Sequence, residues 1–195
     1  MNIILASQSP RRKELLERAG IRNFHIISPD VDESVADGLP PAQIVEELSL
    51  RKARAAGAAG PDSLIIAADT VVALGGDVLG KPHSEDEAFA MLSALSGREH
   101  HVYTGLTVLQ RERVVTVHEE TAVLFRDVSP DEIRSYIATG EPMDKAGAYG
   151  IQGVGALLVS GIRGDYCNVM GLPVFRLGRI LREFGVDLLR RAEPS

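Results

Sequence analysis

Asp69 is the residue in this chain that most needs explaining. It sits inside the apolar run Leu64-Ile65-Ile66-Ala67-Ala68-Asp69-Thr70-Val71-Val72. An unpaired buried carboxylate is strongly unfavourable, so such a residue requires a partner cation or a metal. The plain alternative, an aspartate that caps a turn or pairs with a lysine, lacks a turn residue beside it. Asp30, Asp32 and Glu33 form an acidic loop of hard oxygen donors. Mg²⁺ or Mn²⁺ is commonly held by one or two such carboxylates, with other oxygens completing the shell. Alone the loop reads as a solvated turn; together with Asp69 it suggests a metal site divided between two parts of the chain.

The basic residues suggest an anion. Ser7-Gln8-Ser9-Pro10-Arg11-Arg12 follows an apolar stretch, with Ser9 suited to an N-cap and Pro10 to the first helical position. A helix start presents free N–H groups to an anion, yet arginines there oppose the helix dipole. A phosphate forked by Arg11 and Arg12 resolves that conflict; the alternative is that Ser9 caps and the arginines face water. Lys52 lies in an Ala-rich helical pattern and Lys81 in a rigid Gly80-Lys81-Pro82 turn. Each alone is unremarkable for a surface lysine. The segment Asp144-Lys145-Ala146-Gly147-Ala148-Tyr149-Gly150-Ile151-Gln152-Gly153 lets backbone approach a ligand, with Tyr149 available to stack on a base and Gln152 to read a base edge. It is neither a P-loop nor a dinucleotide fingerprint, and a glycine-rich hairpin explains it equally. His100-His101 are adjacent in a strand pattern and point to opposite faces.

The elements that must position these residues alternate between strand and helix, which implies an α/β class. A strand over residues 3–6 feeds a helix closed by Gly20; a second strand is expected over 24–28 and a helix over 42–59. Residues 64–74 read as a strand ending in the Gly75-Gly76-Asp77 hairpin turn. Ser84/Glu87 and Ser129/Glu132 are spaced as capping boxes opening two helices, one stopped by Gly97 and one ending near Gly140. Strands are expected over 102–110, 114–126 and 156–160, and a last helix over 174–184. Residues 1–190 read as one domain of two lobes, and 191–195 as a frayed tail.

Bulk properties set outer limits. The chain has 195 residues, 45% hydrophobic and 25% charged, within the ordinary range for a soluble globular protein. No run approaches the ~20 apolar residues of a membrane helix, and the first residues do not form a signal peptide. A net charge of −6 argues against a nucleic-acid polymer as partner. Cys167 is the single cysteine, which excludes an intrachain disulfide and suits a reducing, cytoplasmic compartment.

In this order the blocks resemble the Maf family of nucleoside triphosphate pyrophosphatases. The matching segments are Leu5-Ala6-Ser7-Gln8-Ser9-Pro10-Arg11-Arg12, Asp32-Glu33, Lys52-Ala53, Ala68-Asp69-Thr70-Val71-Val72, Gly80-Lys81-Pro82, Leu95-Ser96-Gly97, Val102-Tyr103-Thr104-Gly105, the 144–153 segment and Gly164-Asp165-Tyr166-Cys167-Asn168-Val169-Met170-Gly171-Leu172-Pro173. Arg12, Thr70 and Gln152 are similar to the specificity residues of the dTTP/UTP-preferring branch. The resemblance implies a mixed, elongated sheet with flanking helices and two lobes around a central cleft, related to the inosine triphosphate pyrophosphatases, and often a homodimer. It implies hydrolysis of dTTP and UTP to the monophosphate and pyrophosphate with a divalent cation (Mg²⁺, Mn²⁺ or Co²⁺) on Glu33 and Asp69. Asp69, Glu33, Lys52 and Lys81 become the expected catalytic residues. Ser7, Ser9, Arg11, Arg12, Thr70, Thr104, Lys145 and Gln152 become the expected substrate contacts. Two alternatives stand beside this: a nucleotide-responsive regulator of septum formation acting through a partner, and a pyrophosphatase for modified or purine triphosphates.

Overall fold

The long apolar run around Asp69 forms one uninterrupted strand through the middle of a mixed sheet. In the computed structural model, which describes residues 2–36, 38–60 and 62–191, this is β3 (Leu64–Leu74). The chain reaches it through β1 (Ile3–Leu5), α1 (Pro10–Arg18), β2 (His25–Ile26) and α2 (Pro41–Ala59). β4 (Asp77–Leu79), α3 (Glu85–Leu95), β5 (Glu99–Gln110), β6 (Arg113–Phe125) and α4 (Pro130–Ile137) follow. β7 (Val159–Arg163), α5 (Tyr166–Met170), α6 (Val174–Glu183) and α7 (Leu188–Arg191) complete the described residues. The sheet runs β2-β1-β3-β5-β6-β7, with β4 hairpinned onto β3. β1 is parallel to both β2 and β3, and every other pairing is antiparallel.

Local chemistry accounts for most boundaries. Ser9 caps α1 by accepting from the Arg12 amide, Pro10 opens it, and Gly20 at φ 88° follows its end. Gly75 and Gly76 both take positive φ (63° and 102°), which the two-residue β3–β4 turn requires and other residues resist. Ser129 and Glu132 form the full reciprocal capping box of α4. The Ser84 box is half made. Ser84 accepts from the Glu87 amide at 3.1 Å, while the Glu87 carboxylate turns to the backbone and ring of His83.

Several expected elements differ. β2 is only two residues long and exposed, because no hydrophobic alternation sustains it. The strand expected over 156–160 starts at Val159 instead; residues 153–158 form a 3₁₀ segment opened by Gly153 at φ 76°. α5, in a stretch for which no element was expected, is capped by Asp165 through the Cys167 amide and stopped by Gly171 at φ 106°. Of the tail expected over 191–195, Arg191 is the last residue of α7 and residues 192–195 lie outside the described residues.

Two buried clusters lie at opposite ends of the long strands. One joins Leu5, Leu16, Ile66, Leu106, Leu172, Leu177 and Leu181. The other joins Val72, Leu92, Val102, Phe125, Ile133 and Tyr149. A third, smaller cluster packs the alanines of α2 on Ile65 and Ala67. α2 lies against the sheet at Gly105, where a Cβ would come within 2.0 Å of the Val45 carbonyl oxygen. Glycine there is a packing requirement. His100, 1% exposed, sits edge-on to Phe125 and Tyr149, with Nε2 2.8 Å from the Tyr149 hydroxyl and Nδ1 without a partner among the described residues. Burial first, then His101, depresses its pKa from 6.5 to about 4, so it is neutral at pH 7.

Candidate active site

The cleft begins at a gap in the sheet. One edge of β3 pairs with β1 as far as Ile66 and with β4 from Val72, leaving Ala67–Val71 without a strand partner on that edge among the described residues. Neighbouring residues of a strand point to opposite faces, so Asp69 and Thr70 reach the gap from the two sides of the sheet. In register, Asp69 lies opposite Gly105 and Thr70 opposite Thr104. β1 ends at the gap, so Ser7 and the start of α1 border it, as ligand sites commonly lie beyond the carboxyl ends of parallel strands. The resulting cleft has a volume of about 780 Å³, and residues from the β1–α1 connection, α1, α2, β3, the Gly80-Lys81 turn and the 144–152 segment line it.

On the α2 side, Lys52 is the centre. Its Nζ is 2.6 Å from Asp69 Oδ1 and 2.7 Å from Glu33 Oε1, so two carboxylates 36 positions apart in sequence converge on one cation. The Lys52 and Asp69 side chains are only 14% and 13% exposed, whereas Glu33 is 63% exposed. The Lys52 hydrogen bond holds the Glu33 carboxyl below its ordinary range, with Lys81 and Arg12 adding to the effect. Arg51, one position before Lys52, donates to the backbone carbonyls of Asp32 and Ser34 at 2.9 and 2.6 Å, fixing the chain on both sides of Glu33. Asp32 itself accepts from the Ser34 amide and closes a local turn. Of the acidic loop, then, Glu33 lines the cleft and Asp30 and Asp32 do not.

On the other face stands Arg12. Its guanidinium does not fork toward an open phosphate site. Nε donates to the Gly171 carbonyl at 2.7 Å, Nη1 to Ser7 Oγ at 3.1 Å and Nη2 to Thr70 Oγ1 at 3.0 Å. Burial lowers its pKa, with Asp69 opposing that shift. Ser7 Oγ also accepts from the Ser9 amide at 3.2 Å, and Ser9 itself serves as the α1 cap. Arg11 points elsewhere, 3.6 Å from Asp144. Lys81 lines the cleft from its turn, which the Gly147 amide holds through Gly80 O at 2.9 Å. Lys145 is tied to the Asp144 carboxylate at 2.6 Å and to the Glu141 carbonyl. Burial alone would raise the Asp144 pKa; Lys145 and Arg11 outweigh it and the net shift is downward.

Ser7, Ser9, Arg11, Arg12, Glu33, Lys52, Asp69, Thr70, Lys81, Lys145 and Gln152 therefore border one cleft. Thr104 does not: it is 0% exposed beneath Thr70, its hydroxyl 2.9 Å from Thr70 Oγ1 and donating to the Asn168 carbonyl at 3.0 Å. Tyr149, which read as available to stack on a base, is 5% exposed and packed edge-on to Phe125. Sequence reasoning missed the Gly171 carbonyl and α5 beneath it. Asp165 as cap and Gly171-Leu172-Pro173 as stop were the available signals.

The two carboxylates that share Lys52 also fit a divalent cation. They already converge on one positive charge, and among the described residues no third His, Cys, Asp or Glu completes a closed protein cage. Such a cation commonly takes one or two carboxylates and fills its remaining positions with phosphate oxygens and water.

A family profile described as Maf-like protein matches residues 2–184. The dTTP/UTP pyrophosphatase of Moorella thermoacetica is 55% identical over 191 residues, 97% of this chain and 98% of that protein. The dTTP/UTP pyrophosphatases of Symbiobacterium thermophilum and Bacillus cereus are 50% and 47% identical over 186 residues, each match covering 95% of this chain and 95% and 97% of those proteins. Among solved structures, the nucleoside-triphosphatase / dITP/XTP pyrophosphatase of Mycobacterium abscessus aligns over 94% of this chain and 98% of its own, at 16% identity and a TM-score of 0.46. With a profile spanning nearly every described element, and relatives at half identity or more along nearly their whole length, the chain belongs to the Maf-like protein family.

Proposed function

We propose that this protein hydrolyses dTTP and UTP to the nucleoside monophosphate and pyrophosphate. The observation that carries the reading is the convergence of Asp69 and Glu33 on Lys52 within a cleft bordered by Arg11, Arg12, Lys81 and Lys145. The names of the relatives supply the nucleotides. A water oxygen attacks the α-phosphorus, the bond from that phosphorus to the bridging oxygen breaks, and pyrophosphate carries away the electron pair. Asp69 takes the proton of the attacking water. Lys52 leaves its carboxylate partners for the phosphate oxygens, where with Lys81 and Arg11 it offsets charge gathering on the leaving group. Glu33 and Asp69 would hold a divalent cation, which supplies Lewis acidity toward the phosphate and eases deprotonation of water. Gln152 and Thr70 face the base. The cytoplasmic location that a single cysteine suits and the homodimeric state that the family resemblance implies belong to the same reading. Among the described residues no helix is long and apolar enough to cross a membrane.

The test is pyrophosphate release from a panel of nucleoside triphosphates, with and without Mg²⁺ or Mn²⁺. Metal-dependent cleavage of dTTP and UTP in preference to purines is expected, and Asp69→Asn is expected to lose at least ~10³-fold in kcat, on the scale of lost general base and electrostatic assistance, with its Tm retained. Tight nucleotide binding without turnover of any triphosphate would instead favour a regulator.

A further inference from the structure

Beneath the cleft a chain of hydrogen bonds has only one possible direction. The Asn168 carbonyl can only accept, so the single proton of the Thr104 hydroxyl is spent on it, at 3.0 Å. Thr104 Oγ1 and Thr70 Oγ1 are 2.9 Å apart, so Thr70 must be the donor of that pair. Arg12 Nη2 can only donate, so Thr70 receives it on one lone pair, at 3.0 Å. Thr70 is half-buried on the cleft wall, and what remains to it is a second lone pair and no proton. Asn168 anchors the far end. It is 0% exposed, and its amide nitrogen donates to the Val102 carbonyl and Thr121 Oγ1, both at 3.0 Å.

We infer that Thr104, held by the Asn168 carbonyl, is a positioning residue for base selection: it fixes Thr70 as an acceptor that reads the imide N3–H shared by thymine and uracil. This rests on the pyrimidine triphosphatase reading above. Thymine and uracil present acceptor, donor and acceptor along that edge; cytosine presents an unprotonated N3 and an amino group instead. Facing cytosine, the free Thr70 lone pair would meet the N3 lone pair, leaving two acceptors opposed in a desolvated site. Donors stand beside Thr70 for the flanking carbonyls. The Ser7 hydroxyl accepts two hydrogen bonds and keeps its proton, and Gln152, which also lines the cleft, carries an amide. Without Thr104 Oγ1, the Thr70 hydroxyl could turn its proton into the cleft and accommodate either base.

Thr104→Val keeps the shape of the side chain, and the Asn168 carbonyl still accepts the Gly171 amide at 2.9 Å. Steady-state kcat/KM for dTTP and dCTP would be measured on the full-length protein, its Thr104→Val variant and its Thr104→Ser variant. The expected result is a dTTP/dCTP preference that falls at least ~10-fold in Thr104→Val and stays within ~3-fold of the parent in Thr104→Ser, as for one polar contact made or opposed. Equal losses for both nucleotides in Thr104→Val, or an unchanged ratio, would overturn the inference and leave Thr104 a packing residue. If Thr104→Val does not fold, Thr70→Val carries the same test, since deleting the acceptor must reduce dTTP use more than dCTP use. Should the parent protein turn over no triphosphate, the pyrophosphatase reading fails separately. The ratio of dTTP to dCTP dissociation constants in the parent and Thr104→Val then decides the inference by the same criterion.

Discussion

Replacing Lys52 by methionine keeps most of the aliphatic stem and removes the charge that Asp69 and Glu33 share. Both carboxylate oxygens lie within 2.7 Å of Nζ, so they are no farther from each other than twice that distance. At ~5 Å and an effective dielectric of ~20, two like charges repel by about 3 kcal/mol. Because Glu33 is 63% exposed, solvent screening brings this down to about 1–2 kcal/mol. For a chain of this size such a loss lowers Tm by about 2–8 °C. The penalty has a sign in pH. Like-charge contact raises a carboxylate pKa, so the variant should recover stability as pH falls through the raised value, while the parent does not. A divalent cation should also substitute for the missing ammonium, so that millimolar Mn²⁺ raises the Tm of Lys52→Met by more than it raises that of the parent. The assay is thermal unfolding of both proteins at pH 5.5 and 7.5, with and without Mn²⁺ and without nucleotide. A Lys52→Met protein as stable as the parent at pH 7.5, or equal Mn²⁺ shifts in the two, would refute the argument that one cation position is shared between lysine and metal.

Two other expectations concern the frame around the site. His100 stays neutral in the folded state down to about pH 4, whereas in the unfolded chain it protonates near 6.5. A depressed folded pKa gives stability that is present above pH 6.5 and lost as pH falls toward 4, about 2 kcal/mol of it between pH 7 and 5. Urea unfolding at those two pH values should show that slope reduced in His100→Gln, which retains an acceptor for the Tyr149 hydroxyl; parallel profiles would refute it. Gly105→Ala places a methyl group 2.0 Å from the Val45 carbonyl oxygen, so α2 must lift from β5. A loss above ~4 kcal/mol or failure to fold is expected from such backbone overpacking; a parent-like Tm would show that the helix yields.

The parts of this protein that could be read from its sequence are those governed by near neighbours. Ser9-Pro10 announced α1, Gly75-Gly76 the hairpin, and Ser129 with Glu132 the α4 cap, because each partner lies within four residues. Asp69 stood out because a carboxylate in an apolar strand demands a counter-charge. Where a side chain turns was not legible when its partner is remote. Arg12 is bound by Thr70 and Gly171, 58 and 159 positions away, and nothing in the Ser7–Arg12 block distinguishes a fork aimed at phosphate from one aimed inward. Thr104 was expected as a substrate contact from the family resemblance alone, but the pleat directs it beneath Thr70. Tyr149 read as available to stack on a base, in a segment whose glycines could also make a plain hairpin. Those glycines instead allow a close approach of chain to chain, Gly147 against Val72 and Gly150 against Lys145.

The length of the central strands has a consequence for how the protein comes apart. β3, β5 and β6 hold 11, 12 and 13 residues, about twice the usual strand length, and β3 and β5 supply residues to both large apolar clusters. Neither cluster can melt alone without stripping the ladder at its boundary, and that boundary is where Asp69 meets Gly105. The amides of the β3–β5 ladder around these two residues should then exchange with solvent only through global opening. Those of the two-residue β2 and of β7, at the two sheet margins, should exchange through local fraying. Asp69 would thus occupy the slowest-exchanging part of the backbone, while Glu33, on an irregular segment pinned by Arg51, could be released by local opening alone.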